Sequence, residues 1–241
     1  MAKLGKQMNL KKGLYLIIGL MLFFFFIIGC QTGEKSIKVK TVDNNIKLPT
    51  PQLKGNTSVE EALAKRRSRR KYKDGPLTLE EVGQILWAAQ GITAEWGGRT
   101  APSSGATYPL EIYLLVGEVK NLSAGLYHYL PSSHTLVKVI EGDLRAELAS
   151  AALGQKMIEK APITIVITAI FHRTTDKYGV RGNRYVHIEV GHVAENIYLQ
   201  AEGLKLATVA VGAFNDEDVK KILQLKEEPL YIMPIGIRCD E

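Results

Sequence analysis

Six of the seven residues in Lys65-Arg66-Arg67-Ser68-Arg69-Arg70-Lys71 are cationic, and the seventh is a hydroxyl. Arginine forks make bidentate bonds to phosphate oxygens and serine adds a donor, so Arg66, Ser68 and Arg70 can cradle a phosphomonoester. A solvated basic face, or a patch for anionic lipid headgroups, is the other reading of such a run. A second segment, Arg99-Thr100-Ala101-Pro102-Ser103-Ser104-Gly105-Ala106-Thr107-Tyr108-Pro109-Leu110-Glu111, leads straight into an apolar stretch. Its small residues let backbone approach a ligand and its hydroxyls offer hydrogen bonds, although Pro-Ser-Ser-Gly also spells a simple turn. In a third, Val211-Gly212-Ala213-Phe214-Asn215-Asp216, a strand gives way to a helix and exposes unpaired N-H groups, with a tight turn as the alternative. Other chemistries lack their parts: there is no phosphate loop ending in Lys-Ser/Thr, dinucleotide fingerprint, His-Glu-x-x-His or Gly-x-Ser-x-Gly. Cys30 and Cys239 lie far apart with no Cys/His cluster, so no metal site is expected.

The elements that must hold these segments follow from spacing. Ser58-Val59-Glu60-Glu61 and Thr78-Leu79-Glu80-Glu81 have capping-box form, opening helices to about Arg67 and to Gly91. Strands are expected at 110–116, 126–130, 136–140, 163–170, 208–211 and 230–237, and further helices at 143–153, 187–204 and 216–223. Helices and strands mix without regular βαβ alternation, which places the fold in the α+β class.

The chain has 241 residues, 46% hydrophobic and 23% charged, which fits one globular domain with a short appendage and excludes a disordered or fibrous chain. Lys3, Lys6, Lys11 and Lys12 account for four of the six excess positive charges, so net charge gives no reason to expect a nucleic-acid partner. Those lysines precede an apolar run, Gly13 to Gly29, in the pattern of an export signal. The run is short for a permanent anchor and ends Ile27-Ile28-Gly29-Cys30, which resembles a bacterial lipobox with Cys30 as the lipidated residue. The expected organisation is a lipoprotein signal at 1–29, a flexible tether at 30–56 and a folded domain at 57–241. Residues 30–241 would then sit in the bacterial cell envelope, lipid-anchored outside the cytoplasmic membrane.

Taken in order, five motifs carry a family resemblance: Arg66-Arg67-Ser68-Arg69-Arg70, residues 102–111, Lys177-Tyr178-Gly179-Val180-Arg181-Gly182-Asn183-Arg184-Tyr185, Glu189-Val190-Gly191-His192-Val193-Ala194-Glu195-Asn196, and Val211-Gly212-Ala213-Phe214. From about Ser58 onward the chain resembles the nitroreductase superfamily of flavin enzymes, and within it the SagB-type branch that includes azoline dehydrogenases. The resemblance implies a three-layer fold, with a central, mainly antiparallel sheet flanked by helices, and a homodimer holding FMN at its interface. Arg66, Arg67, Ser68 and Arg70 would bind the FMN phosphate and ribityl end. Pro102, Ser103, Ser104 and Gly105 of the other subunit would line the ring, with Tyr108 beside it, and Gly212 and Ala213 would face its reactive edge. Lys177 and Tyr178 match the pair implicated in proton removal in the azoline branch, whereas His192 and Glu195 read as core or dimer contacts. Many relatives complete the phosphate site with a basic C-terminal segment; Arg181 or Arg184 is the candidate substitute here.

The expected activity is hydride transfer through bound flavin to or from an unknown small-molecule or peptide substrate. The alternatives are a reductase of nitro, quinone or halogenated aromatics, a flavin-consuming enzyme of the same fold, or a non-catalytic lipoprotein that binds flavin or another anion.

Overall fold

The computed structural model describes residues 45–239, so the expected signal, Cys30 and the first part of the expected tether lie outside the described residues. Among the described residues eight strands form one sheet: β1 (Asn45–Lys47), β2 (Tyr72–Lys73), β3 (Leu110–Val116), β4 (Gly125–Leu130), β5 (Thr135–Glu141), β6 (Ile163–Ala169), β7 (Leu206–Thr208) and β8 (Glu228–Arg238). Their order is β1-β5-β4-β3-β6-β8-β2, with β7 also paired to β8, and every pairing is antiparallel. At the centre, β3 and β6 pair from Leu110 with Ala169 to Val116 with Ile163.

Side chains alternate between the two faces of a strand, and both faces of this sheet are covered. Ile112, Leu114, Ile163, Ile165 and Ile167 face a core shared with helices α2 (Leu79–Gln90) and α6 (Arg181–Gly203). Tyr113, Leu115, Val166 and Ile232 face the opposite core, shared with α3 (Arg145–Ala151), α4 (Lys156–Lys160) and α7 (Asp216–Leu223). Helices, sheet and helices thus make the three layers expected. Double coverage explains why all of β6 is buried and why its sequence is almost continuously apolar.

Both anticipated capping boxes form, Ser58 with Glu61 on α1 (Val59–Lys65) and Thr78 with Glu81 on α2. Gly91 is the C-cap of α2, and a Cβ there would lie 2.2 Å from the Trp87 ring. Helix α6 has 23 residues and is about 34 Å long. It begins six residues earlier than its apolar period indicated, because its first turns are polar. The short α4 and the helix α5 (His172–Tyr178) were not anticipated; α5 buries only Thr174, and its residues carry no apolar period. Strand β7 lies at 206–208 rather than 208–211, while Val211 makes an isolated bridge to Ile232.

The tether reading does not hold for residues 45–52. β1 extends the sheet along β5, Leu48 is buried, and its N-H donates to the His134 carbonyl at 3.0 Å. Gln84 accepts from the Gln52 N-H at 2.8 Å and donates to its carbonyl at 3.1 Å. The Pro49 carbonyl can only accept, so His134 carries its proton on Nε2, 3.0 Å away, and receives the Tyr129 hydroxyl on Nδ1 at 2.9 Å.

Burial holds the His134 pKa below its ordinary 6.5. A depressed histidine favours the fold fully above its ordinary value and loses that contribution as pH falls through the folded value. Amide exchange of residues 46–52 should therefore lose protection on acidification, and His134→Gln, which keeps a donor, should remove the pH dependence. Equal protection at neutral and acidic pH in the wild type would count against this role.

Candidate ligand site along one helix

The arginine segment is seated by one face of α6. Glu195, Tyr198 and Glu202 lie at helical spacing and hold successive residues of it. Arg66, the C-cap of α1, places its guanidinium over the Tyr198 ring, 5.1 Å from the centroid, with Nε 3.9 Å from Glu195. The Ser68 hydroxyl is 3.0 Å from the Tyr198 hydroxyl. Arg69 donates from its backbone to the Thr208 carbonyl at 2.9 Å and from its side chain to Glu202 at 2.8 Å. The second oxygen of Glu202 accepts from Arg238 on β8.

Glu202 is buried, and a buried carboxylate left without partners is costly, so Arg69 is committed to structure. Arg67 turns one nitrogen back onto the carbonyls of Ala64 and Arg66, at 3.1 and 2.7 Å. Arg70 is exposed and makes no ion pair among the described residues. The Arg66–Glu195 contact is half-exposed and long, worth at most about 1 kcal/mol, so Arg66 can turn to an incoming anion. Arg67, Ser68 and Arg70 are exposed, and Arg66 is half-exposed. Arg181 and Arg184 are not near them within one chain: they lie 11 to 14 residues before Glu195 on α6, roughly 16–21 Å along its axis.

The second segment is a strained loop lying against the preceding turns of α6. Gly105, Ala106 and Tyr108 all have left-handed backbones, with φ of 63°, 53° and 44°. Such conformations in non-glycine residues persist only where the surroundings over-determine them. Here the Ser103 hydroxyl accepts from the Tyr108 N-H at 2.9 Å, Thr107 bonds Thr174 at 2.7 Å, and His192 Nδ1 donates to the Pro102 carbonyl at 3.2 Å. Lys177, at the end of α5, donates to the Gly105 carbonyl at 3.2 Å. A Cβ on Gly105 would fall 2.3 Å from the Tyr178 hydroxyl and 2.6 Å from Lys177 Nζ. Lys177, Tyr178 and Gly105 therefore form one contact. The Tyr108 ring covers the Arg99 guanidinium at 4.4 Å. Ser104 accepts on its carbonyl from the Thr107 hydroxyl at 3.1 Å, and Pro102 and Gly105 are exposed.

Gly212 and Ala213 lie exposed just beyond the Val211 bridge. Ala210 donates to the Tyr198 hydroxyl at 2.8 Å, and the Ala213 carbonyl accepts from Gln155 at 2.9 Å. Among the described residues, no acceptor meets the Gly212 or Ala213 N-H.

Sequence reasoning missed a buried polar group under the loop. Glu189 on α6 is 2% exposed, and its Oε1 and the Nε2 of buried Gln90 have no hydrogen-bond partner among the described residues. Burial pushes the Glu189 carboxyl up to about 7, against the opposing pull of Ser103, Gln90 and the Arg99 charge. Gln90 Oε1 accepts from Arg99 at 2.9 Å, so helix α2, the loop and α6 meet in one polar cluster. A Glu at core spacing beside His192 was the available signal; its apolar neighbours hid it.

Residues 63–237 match the Nitroreductase family. The chain is 52% identical over 182 residues to a nitroreductase-like protein of Methanocaldococcus jannaschii, covering 76% of this chain and 92% of the relative. It is 31% identical to the microcin B17-processing protein McbC of Escherichia coli, covering 57% of this chain and only 54% of that one. An FMN reductase [NAD(P)H] of Bacillus subtilis is 24% identical, over 74% of this chain and 63% of the relative. The crystal structure of a nitroreductase-like protein from Ralstonia eutropha superposes with a TM-score of 0.72 at 29% identity, covering 84% and 93% of the two chains.

A carboxyl whose pKa is raised in the fold keeps a proton that the unfolded chain releases, so its contribution is full below its ordinary 4.5 and is lost as pH rises through about 7. Thermal unfolding from pH 5 to 8 should show wild-type stability declining relative to Glu189→Gln, by at most about 3 kcal/mol. Parallel profiles would mean that Glu189 is ionised throughout.

Proposed function

Because the chain belongs to the nitroreductase family and is an oxidoreductase by that membership, we propose that it uses FMN, held by the three segments along α6. The chemistry of the donor set fits that group. Half-exposed Arg66 with exposed Ser68 and Arg70 suits a phosphate, the partly exposed Pro102–Gly105 loop suits a flat ring, and the unpartnered N-H groups of Gly212 and Ala213 suit ring acceptors. Arg67 can join the phosphate only by giving up its bonds to the end of α1. Bound FMN supplies hydride acceptance and donation, and the protein supplies position and charge.

The single observation that carries this reading is the division of the cationic run, in which Arg69 is sequestered on Glu202 while its neighbours face outward. Lys177 and Tyr178 sit together at Gly105, where a proton can be taken from or given to a substrate docked over the loop. That placement favours a dehydrogenase of the SagB type acting on an unidentified substrate, and the similarity to McbC supports it. The more extensive match to the nitroreductase-like protein favours a second reading, reduction of a nitro, quinone or halogenated aromatic.

The proposal includes a homodimer, in which Pro102 to Gly105 of one subunit lines the ring held by the other. It also includes a lipid anchor on Cys30 outside the cytoplasmic membrane, supported by the basic leader and the apolar run before Cys30. Among the described residues no helix is long and apolar enough to cross a membrane.

The chain purified from residue 31 should bind added FMN and show bound-flavin absorption, which Arg66→Ala/Arg70→Ala should abolish. Bleaching under NADPH and recovery with a nitroaromatic would select the reductase reading; flavin reduction by an azoline-containing peptide would select the dehydrogenase. A colourless wild type that ignores FMN would sink both. In cells, labelled fatty acid should enter the wild type and not Cys30→Ala.

A further inference from the structure

One side chain that seats the arginine segment also touches a second of the three segments. Tyr198 lies within the α6 core and is 8% exposed, yet its hydroxyl reaches between chain stretches far apart in sequence. Ala210 N-H donates to that oxygen at 2.8 Å, and the Ser68 hydroxyl lies 3.0 Å from it. A phenol has one proton and two lone pairs, so both bonds can be made at once whichever hydroxyl donates to the other. The face of the same ring lies under Arg66, 5.1 Å from the centroid. A tyrosine that merely fills a core needs one partner for its hydroxyl. This one has two, on the arginine segment and on the strand end that leads into Gly212 and Ala213.

We propose that Tyr198 is a positioning residue that fixes the separation between the anion-binding group Arg66-Ser68-Arg70 and the unpartnered N-H groups of Gly212 and Ala213. The inference rests on the FMN reading of the site. Through Tyr198, grip on the phosphate and the electrostatic setting of the ring are one property. When the arginine segment closes on an anion, Ser68 draws on the phenol, and the phenol holds Ala210 and the turn beyond it.

Removing the hydroxyl leaves the ring and its stacking on Arg66 but deprives Ala210 of its acceptor. In the full chain purified in detergent, Tyr198→Phe should weaken FMN binding about tenfold. It should also shift the reduction potential of the bound flavin, which a purely structural loss would not move. Ser68→Ala should weaken binding with little change in potential, because the Ala210 bond remains. The double variant should lose less than the sum of the two single losses, since the shared linkage is counted in both.

Two results overturn the proposal by itself: a wild type that binds FMN beside a Tyr198→Phe variant with unchanged affinity and potential, or additive losses in the double variant. A wild type that binds no FMN overturns the site reading as well, so the two failures are distinguishable. If Tyr198→Phe does not fold, amide exchange on the wild type decides. Inorganic phosphate alone, binding at the arginines, should slow exchange at Ala210; no change there overturns the coupling.

Discussion

The site depends on the need to neutralise a carboxylate taken out of water. Glu202 is buried near the end of α6, and the cost of an uncompensated buried charge, several kcal/mol, is met by Arg69 from one direction and Arg238 from the other. That requirement sets the register of the arginine segment. Arg69 also donates through its backbone to the Thr208 carbonyl on β7. With Arg69 turned inward, Ser68 and Arg70 are placed outward, and Tyr198 one turn earlier on α6 holds Arg66 and Ser68. A run of cations is thereby ordered along one edge of α6.

The same helix carries the rest of the site. Within the two turns before Glu195, Glu189 and His192 support a loop whose left-handed backbone would not persist alone. The constraint at Gly105 is mutual. Lys177 and Tyr178 can meet over it because no Cβ intervenes, and the loop is fixed because they do. The Val211 bridge and the Tyr198 hydroxyl hold the third segment while leaving the Gly212 and Ala213 N-H groups open. The three segments are therefore positioned from one rigid element, as the proposed cofactor site requires.

Much of this was legible in the sequence because it rests on local physics. Capping boxes located α1 and α2, an apolar run located β6, and the three motif segments are the three that α6 gathers. The remainder depends on tertiary contacts. Nothing in six cations shows which one a buried carboxylate will claim, and Tyr198, Glu202 and Glu189 sit at positions whose helical spacing reads as ordinary core. Helix α5 has almost no buried face to announce it. Residues 45–48 look like linker because their burial depends on His134 and Tyr129, about 85 residues away in the chain.

The measurement that bears most directly on this account compares Arg69→Ala with Arg70→Ala, neighbours of identical chemistry, by thermal unfolding and FMN titration. Arg69→Ala should lose about 3 kcal/mol of stability, because Glu202 keeps only one of its two cations. Arg70→Ala should unfold as the wild type does while losing affinity for FMN. An Arg70→Ala variant that binds FMN normally, or an Arg69→Ala variant as stable as the wild type, would contradict the division of labour from which the site is built.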